Sequence, residues 1–235
     1  MNKCFVDYRI SKEEISNLSL ENLDIIKVLP SKNLYKAIDG HPDIQLNILS
    51  NNTLIAHEEL FNNLKSYPSL NKFNLNLVKA KTNLKNTYPY DISLNAVNLK
   101  DFFIHNLKYT DECLLNSVKE KNLINVKQGY TKCSCAVISN NAIITSDVGI
   151  YNELKKYPID VLGISAKDIS LPYLNYGFIG GTCGLLCENK IAFFGNYNLH
   201  PYGKEIENFL IKHDVKPIFL SKKPLVDRGS ILTLF

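Results

Sequence analysis

The sequence has no tryptophan, one methionine and, among 27 basic residues, only Arg9 and Arg228 as arginines. The remaining basic residues are lysines scattered along the chain, so the net charge of +4 forms neither a dense basic block nor an arginine-rich helix. That distribution argues against nucleic acid as a partner. No apolar run approaches the roughly 20 residues needed to span a bilayer, which argues against a membrane partner. The opening stretch MNKCFVDYRISKEE lacks the apolar segment of a secretory signal. Six cysteines in such a chain read as reduced thiols, and the expected location is cytoplasmic. Cys133-Ser134-Cys135 with Cys183 and Cys187 does not have zinc-finger spacing. The glycines of Gly180-Gly181-Thr182-Cys183-Gly184 lack the Lys-Ser/Thr of a phosphate loop. Neither a metal nor a cofactor is therefore expected.

What is present is an internal repeat, the first thing to seek in a chain of this length. Asp43-Ile44-Gln45-Leu46-Asn47 recurs as Asp91-Ile92-Ser93-Leu94-Asn95. Leu49-Ser50-Asn51-Asn52-Thr53-Leu54-Ile55 recurs as Ile138-Ser139-Asn140-Asn141-Ala142-Ile143-Ile144, and more loosely as Leu186–Ala192. Each copy is a strand, a polar turn and a second β-rich strand, the signature of a hairpin. Helical periodicity follows over Glu58–Tyr67, Asp111–Lys121, Val148–Lys156 and Tyr202–His213. A further strand is predicted after each, over Phe73–Val78, Leu123–Val126, Ile159–Ile164 and Val215–Leu220. A fifth unit appears when the ends are joined. Gly229–Phe235 supplies its first strand, and Cys4–Tyr8, a helix from Ser11 and Asp24–Leu29 supply the rest. Ser11 with Glu14 forms a capping-box pattern at the start of that helix. The chain thus predicts an α/β fold of one domain over residues 1–235, a closed ring of five ββαβ units whose last unit is shared between the termini and leaves no free sheet edge there.

Aligning the first strands places Asp43, Asp91, Lys132, Gly180 and Arg228 in register, and one alternation further Gln45, Ser93, Ser134, Thr182 and Ser230. Strand side chains alternate between faces, so these polar positions are expected to line an axial channel. Four mixed charges there admit two readings. They neutralise one another, or the carboxylates hold a guanidinium or ammonium while Lys132 and Arg228 hold a carboxylate. The same alternation puts Cys133 on the apolar face with Ile44 and Ile92, as a buried thiol. A one-residue bulge would turn it into the channel beside Lys132.

A fivefold ring with polar axial residues resembles the pentein, or guanidino-group-modifying-enzyme, fold. Gln128–Ser134, Gly177–Gly181 and Asp227–Leu232 are most similar to a clostridial family within that fold, one with no activity to carry over. Catalytic penteins use a cysteine nucleophile, a His-x-Asp element and further carboxylates that grip the guanidinium. By that resemblance His41 of His41-Pro42-Asp43 is the general acid/base, and Asp43 and Asp91 are guanidinium-binding carboxylates. The nucleophile departs from the pattern: the register positions are Ala96, Val137, Leu185 and Thr233, and Cys133 is the nearest substitute. Two functional classes follow. One is an enzyme performing hydrolysis or amidino transfer at a guanidino carbon, with His41 and Cys133 catalytic and Asp43, Asp91, Lys132, Arg228 and Ser230 holding an arginine-like or amino-acid-like small molecule. The other is a non-catalytic pentein that binds a small zwitterion or a macromolecular partner. Nothing in the sequence points to a particular oligomeric state.

Overall fold

The computed structural model describes residues 2–71, 74–165 and 167–235. Among these residues fifteen strands form five three-stranded sheets. In chain order they begin with β1 (Lys3–Asp7) and β2 (Asp24–Val28). The first complete unit is β3 (Leu46–Ser50), β4 (Thr53–Ala56) and β5 (Asn76–Lys79). The second is β6 (Val97–Asn98), β7 (Phe102–His105) and β8 (Asn122–Asn125). The third is β9 (Cys135–Ser139), β10 (Ala142–Thr145) and β11 (Asp160–Gly163). The fourth is β12 (Cys183–Cys187), β13 (Lys190–Phe193) and β14 (Lys216–Phe219). Finally β15 (Leu232–Leu234) pairs with β1 and completes the sheet β15-β1-β2 from both ends of the chain, as predicted. The predicted strand over Phe73–Val78 begins at a residue outside the described ones, and the strand seen is Asn76–Lys79.

Every sheet is built alike. Its first strand runs antiparallel to the second, and the second runs parallel to the third across a helix. These helices are Lys12–Ser19, Glu58–Lys65, Glu112–Ser117, Val148–Leu154 and Gly203–Lys212. The first is capped by the reciprocal Ser11–Glu14 pair, which satisfies backbone donors that have no partner within the helix. Asp111 and Asp147 do the same for the second-unit and third-unit helices.

Closure of the ring is visible in the packing. Five apolar clusters each join one sheet to the next: Phe5 and Leu234 to Leu46 and Leu54, Ile55 to Leu94 and Phe103, Val97 and Ile104 to Cys135 and Ile143, Ala136 and Ile144 to Cys183 and Phe193, and Leu186 and Phe194 to Cys4 and Val6. A sheet in this ring buries both faces, one against each neighbour. That explains why β4, β7, β10 and β13 carry little alternation and are buried almost throughout.

The residues aligned as the first halves of the inner strands are not strand. Pro42–Gln45 and Thr131–Ser134 are single helical turns, and Ile179–Thr182 is a 3₁₀ turn. Pro42 sets the first of these, because its fixed φ suits the first helical position. Near the axis the backbones no longer pair within their own sheet and instead bond to neighbouring units. Asp43 N donates to Gly229 O at 3.1 Å, Lys132 N to Asn95 O at 3.1 Å, and Ser230 N to Gly181 O at 3.0 Å. Two residues there have positive φ, Gly229 at 68° and Ser230 at 70°. A side chain on Gly229 would overlap His41, so both its conformation and its space require glycine.

If the inter-sheet clusters carry the stability, Phe103→Ala should cost about 3–5 kcal/mol. Leu20→Ala, at an 81% exposed position, should change stability by no more than about 0.5 kcal/mol. Urea denaturation of both variants measures this, and a small loss for Phe103→Ala would contradict the packing account.

Candidate active site

The helical turns bring together side chains that a strand would have sent to opposite faces. Cys133 Sγ donates to Asp43 Oδ2 at 3.3 Å. One ligand atom each from His41, Asp43 and Cys133 lie within 4.8 Å of one another, all three residues being buried. A thiol, an imidazole and a carboxylate so disposed are also the donor types of a divalent transition-metal site. Neither nitrogen of His41 has a hydrogen-bond partner among the described residues, although the residue is 1% exposed. Its Nδ1 lies 3.9 Å from Asp227 Oδ1. Asp227 is fixed by backbone donors, Phe178 N at 2.8 Å and Gly229 N at 3.0 Å. The glycine at 181 is what admits that carboxylate, since a Cβ there would overlap it.

His41, Cys133 and Asp227 share the wall of one cavity of about 270 Å³. The rest of the wall is largely apolar and aromatic, including Tyr35, Tyr130 and Phe178. The other predicted residues divide as follows. Asp43 and Ser230 stand behind the thiol, with Ser230 Oγ 2.5 Å from Asp43 Oδ2. Asp91 is screened from the cavity by Tyr130, whose hydroxyl donates to it at 2.6 Å. Lys132 faces the other way, into a cavity of about 170 Å³ along the axis between the inner strands. Its Nζ donates to Ser230 Oγ at 2.9 Å, so Lys132, Ser230, Asp43 and Cys133 form one chain of contacts from the axis to the thiol. Arg228 does not join them: its guanidinium pairs with Glu14 at 3.1 Å on the outside of the turn.

The expected ring of hydroxyls and an amide is also absent among the described residues, for the same reason. Gln45 donates to Leu29 O and Asp39 O, Ser93 meets His57 and Thr182 donates to Ile179 O. Thr182 thus serves its own turn, whereas Gln45 and Ser93 reach segments before β3 and after β4. Two residues of this cluster were not singled out by the sequence. Asp227 adjoins Arg228 in the register and drew no attention because it falls one position outside the aligned strand. Asn95 is buried; its Oδ1 accepts from Lys132 N and Cys133 N, and its Nδ2 donates to Cys133 Sγ at 3.1 Å and Asp43 O at 2.8 Å. Its recurrence with Asn47 in the repeat was the available signal.

Burial dominates the electrostatics. It pushes the Cys133 thiol well above the usual range, with the charges of Asp43 and Asp227 adding to the effect. Burial raises the Asp227 carboxyl to about 7, helped by Asp43 and opposed by the two backbone donors. Burial lowers His41 to about 4 despite Asp43. Near neutral pH the ligand-free site therefore holds a neutral thiol, a neutral imidazole and an Asp227 poised between its two states.

These shifts have opposite consequences for stability. His41, His57 and His105 are each lowered to about 4. The unfolded chain binds protons at these positions below about 6.5 and the folded chain does not, so stability falls as pH drops from about 6.5 to about 4. Asp227 is raised, so the folded chain keeps a proton that the unfolded chain releases above about 4, and stability falls as pH rises from about 4 to about 7. Asp227→Asn removes the opposing contribution and should steepen the acid loss. Urea midpoints at pH 7 and pH 4.5 for both proteins test this; parallel changes would contradict the buried, protonated Asp227.

The sequence profile described as a family of unknown function, DUF6873, matches residues 5–232. No protein of curated function matches the chain in sequence. Solved structures share its fold at low identity. Agmatine deiminase of C. jejuni superposes with a TM-score of 0.57 at 12% identity, covering 99% of this chain and 93% of that one. SxtG, an amidinotransferase from Microseira wollei in the saxitoxin biosynthetic pathway, gives 0.53 at 12% identity over 94% and 77% of the two chains. A mutant DDAH from Pseudomonas aeruginosa complexed with citrulline gives 0.52 at 10% identity over 94% and 92%. The fold is thus that of the penteins.

Proposed function

The chain belongs to the family of unknown function DUF6873, and for this member we propose a thiol-dependent enzyme acting at the guanidino carbon of a small molecule. The observation that carries this reading is the meeting of Cys133, His41 and Asp227 on one cavity wall, with Asp43 directly behind. The fold shared with agmatine deiminase and an amidinotransferase supports it as analogy.

The chemistry follows from charge. A guanidinium entering the cavity brings the cation that the site lacks. It favours ionised Asp227, which can accept two parallel N–H bonds, and it lowers the cost of a thiolate at Cys133. With the cation bound, His41 takes the thiol proton, and the thiolate Sγ then forms a bond to the guanidino carbon. The same imidazole then returns the proton to the departing nitrogen as the carbon–nitrogen bond breaks. An S-amidino thioether remains. Attack by water makes the protein a hydrolase, and attack by an acceptor amine makes it an amidinotransferase; either restores the thiol. Asn95 and Asp43 position the sulfur, and Lys132 acts through Ser230 on Asp43.

A non-catalytic binding role is the second reading, favoured by the hydrogen bond that ties the thiol to Asp43. The two differ in one variant. Agmatine, arginine or a related guanidine present at about 100 times its Kd should add roughly 2.7 kcal/mol to the protein's stability, and Asp227→Asn should abolish that gain. For an enzyme, release of ammonia or amine should accompany binding and fall roughly a thousandfold or more in Cys133→Ser, which still binds. Binding without turnover in the wild type leaves the binding role, and no stabilisation by any guanidine overturns the guanidino reading in both its forms.

A further inference from the structure

The cavity has a floor and a mouth of different character. Its floor is the buried set His41, Cys133 and Asp227, each at most 3% exposed. Its mouth includes Leu174 and Tyr176, which are 48% and 46% exposed. Between them the aromatic rings form a continuous ladder. Tyr176 lies 6.1 Å from Phe178, Phe178 lies 6.3 Å from Tyr130, and Tyr130 lies 5.8 Å from Tyr88, itself 53% exposed. These separations fit the tilted and edge-on packing that aromatic rings favour. Three of these rings, Tyr176, Phe178 and Tyr130, line the cavity above its reactive floor and offer a surface to an apolar or aromatic group.

The same wall contains neither lysine nor arginine among the described residues. The cations whose charge reaches the site, Arg9 and Arg228 at His41 and Lys132 at Asp227, are committed to other partners. Arg9 is forked onto Asp7 and the carbonyls of Lys36 and Ala37. Arg228 is held by Glu14, and Lys132 lies on the axial side of Ser230. A ligand carboxylate would enter a cavity whose floor already carries Asp227, with Asp43 behind it, and would find no cation to offset its desolvation. The zwitterion expected from the sequence is thus poorly matched to this wall.

Resting on the guanidino reading above, we propose that the ligand carries its guanidino group on an apolar or aromatic tail without a carboxylate, the tail lying along Tyr176, Phe178 and Tyr130. The test compares 4-phenylbutylguanidine, agmatine, arginine and the neutral 4-phenylbutanol by calorimetry on the wild type, Leu174→Ala and Tyr176→Ala. Both altered residues are about half exposed, so these variants are expected to fold. 4-Phenylbutylguanidine should bind at least tenfold more tightly than arginine or agmatine. The two variants should shrink that preference several-fold, weakening 4-phenylbutylguanidine more than agmatine. Arginine binding as tightly as 4-phenylbutylguanidine, or a preference untouched by both variants, overturns the proposal. If 4-phenylbutanol binds as tightly as 4-phenylbutylguanidine, the guanidino reading fails while the role of the aromatic wall stands. If none of the compounds binds, both fail.

Discussion

A buried carboxylate in a space without a facing cation governs the chemistry of this ring. Asp227 is fixed by Phe178 N and Gly229 N, and the charge of a second carboxylate, Asp43, opposes its ionisation more than that of Lys132 favours it. Water is largely excluded, so its negative charge is costly and its proton is retained up to about neutrality. The same exclusion keeps His41 neutral and the Cys133 thiol protonated. A cation is the missing component of such a site, and a planar one with several N–H donors suits it best.

The ring explains why these groups meet. Each comes from a turn at the axial end of a unit: His41 and Asp43 from the first, Cys133 from the third, Asp227 from the last. The turns bond to one another across unit boundaries, so their positions depend on closure of the whole ring rather than on any single sheet. Glycine is used where the approach is closest. Gly181 leaves room for the Asp227 carboxylate, and Gly229 leaves room for His41. Stability and site geometry therefore share a cause, the inter-sheet packing that holds five turns around one axis.

The repeat was legible because its carriers are local. Asn-Asn turns between β-rich strands, helical periodicity and the Ser11–Glu14 cap each act within a few residues. His41 and Cys133 were legible as reactive residue types in a suggestive context. What could not be read was the geometry of the turns. Period-two alternation assumes extended backbone, and around Asp43 and Cys133 the backbone is helical for one turn. Cys133 keeps the expected place beside Ile44 in a buried apolar cluster, and the turn also brings it to hydrogen-bonding distance of Asp43; Arg228, just before the positive-φ pair Gly229–Ser230, points outward to Glu14. Asp227, Asn95 and the aromatic wall depend on contacts between units remote in sequence, which no local pattern encodes.

The central claim is that a bound guanidinium supplies the charge that allows Cys133 to ionise. Thiolate absorbance near 240 nm measures this directly, with the ligand titrated into wild type and Cys133→Ser at pH 7.5. The account predicts a saturable rise in the wild type, absent from Cys133→Ser, at the concentrations where binding occurs. Saturating binding with no rise, or an equal rise in both proteins, would contradict it.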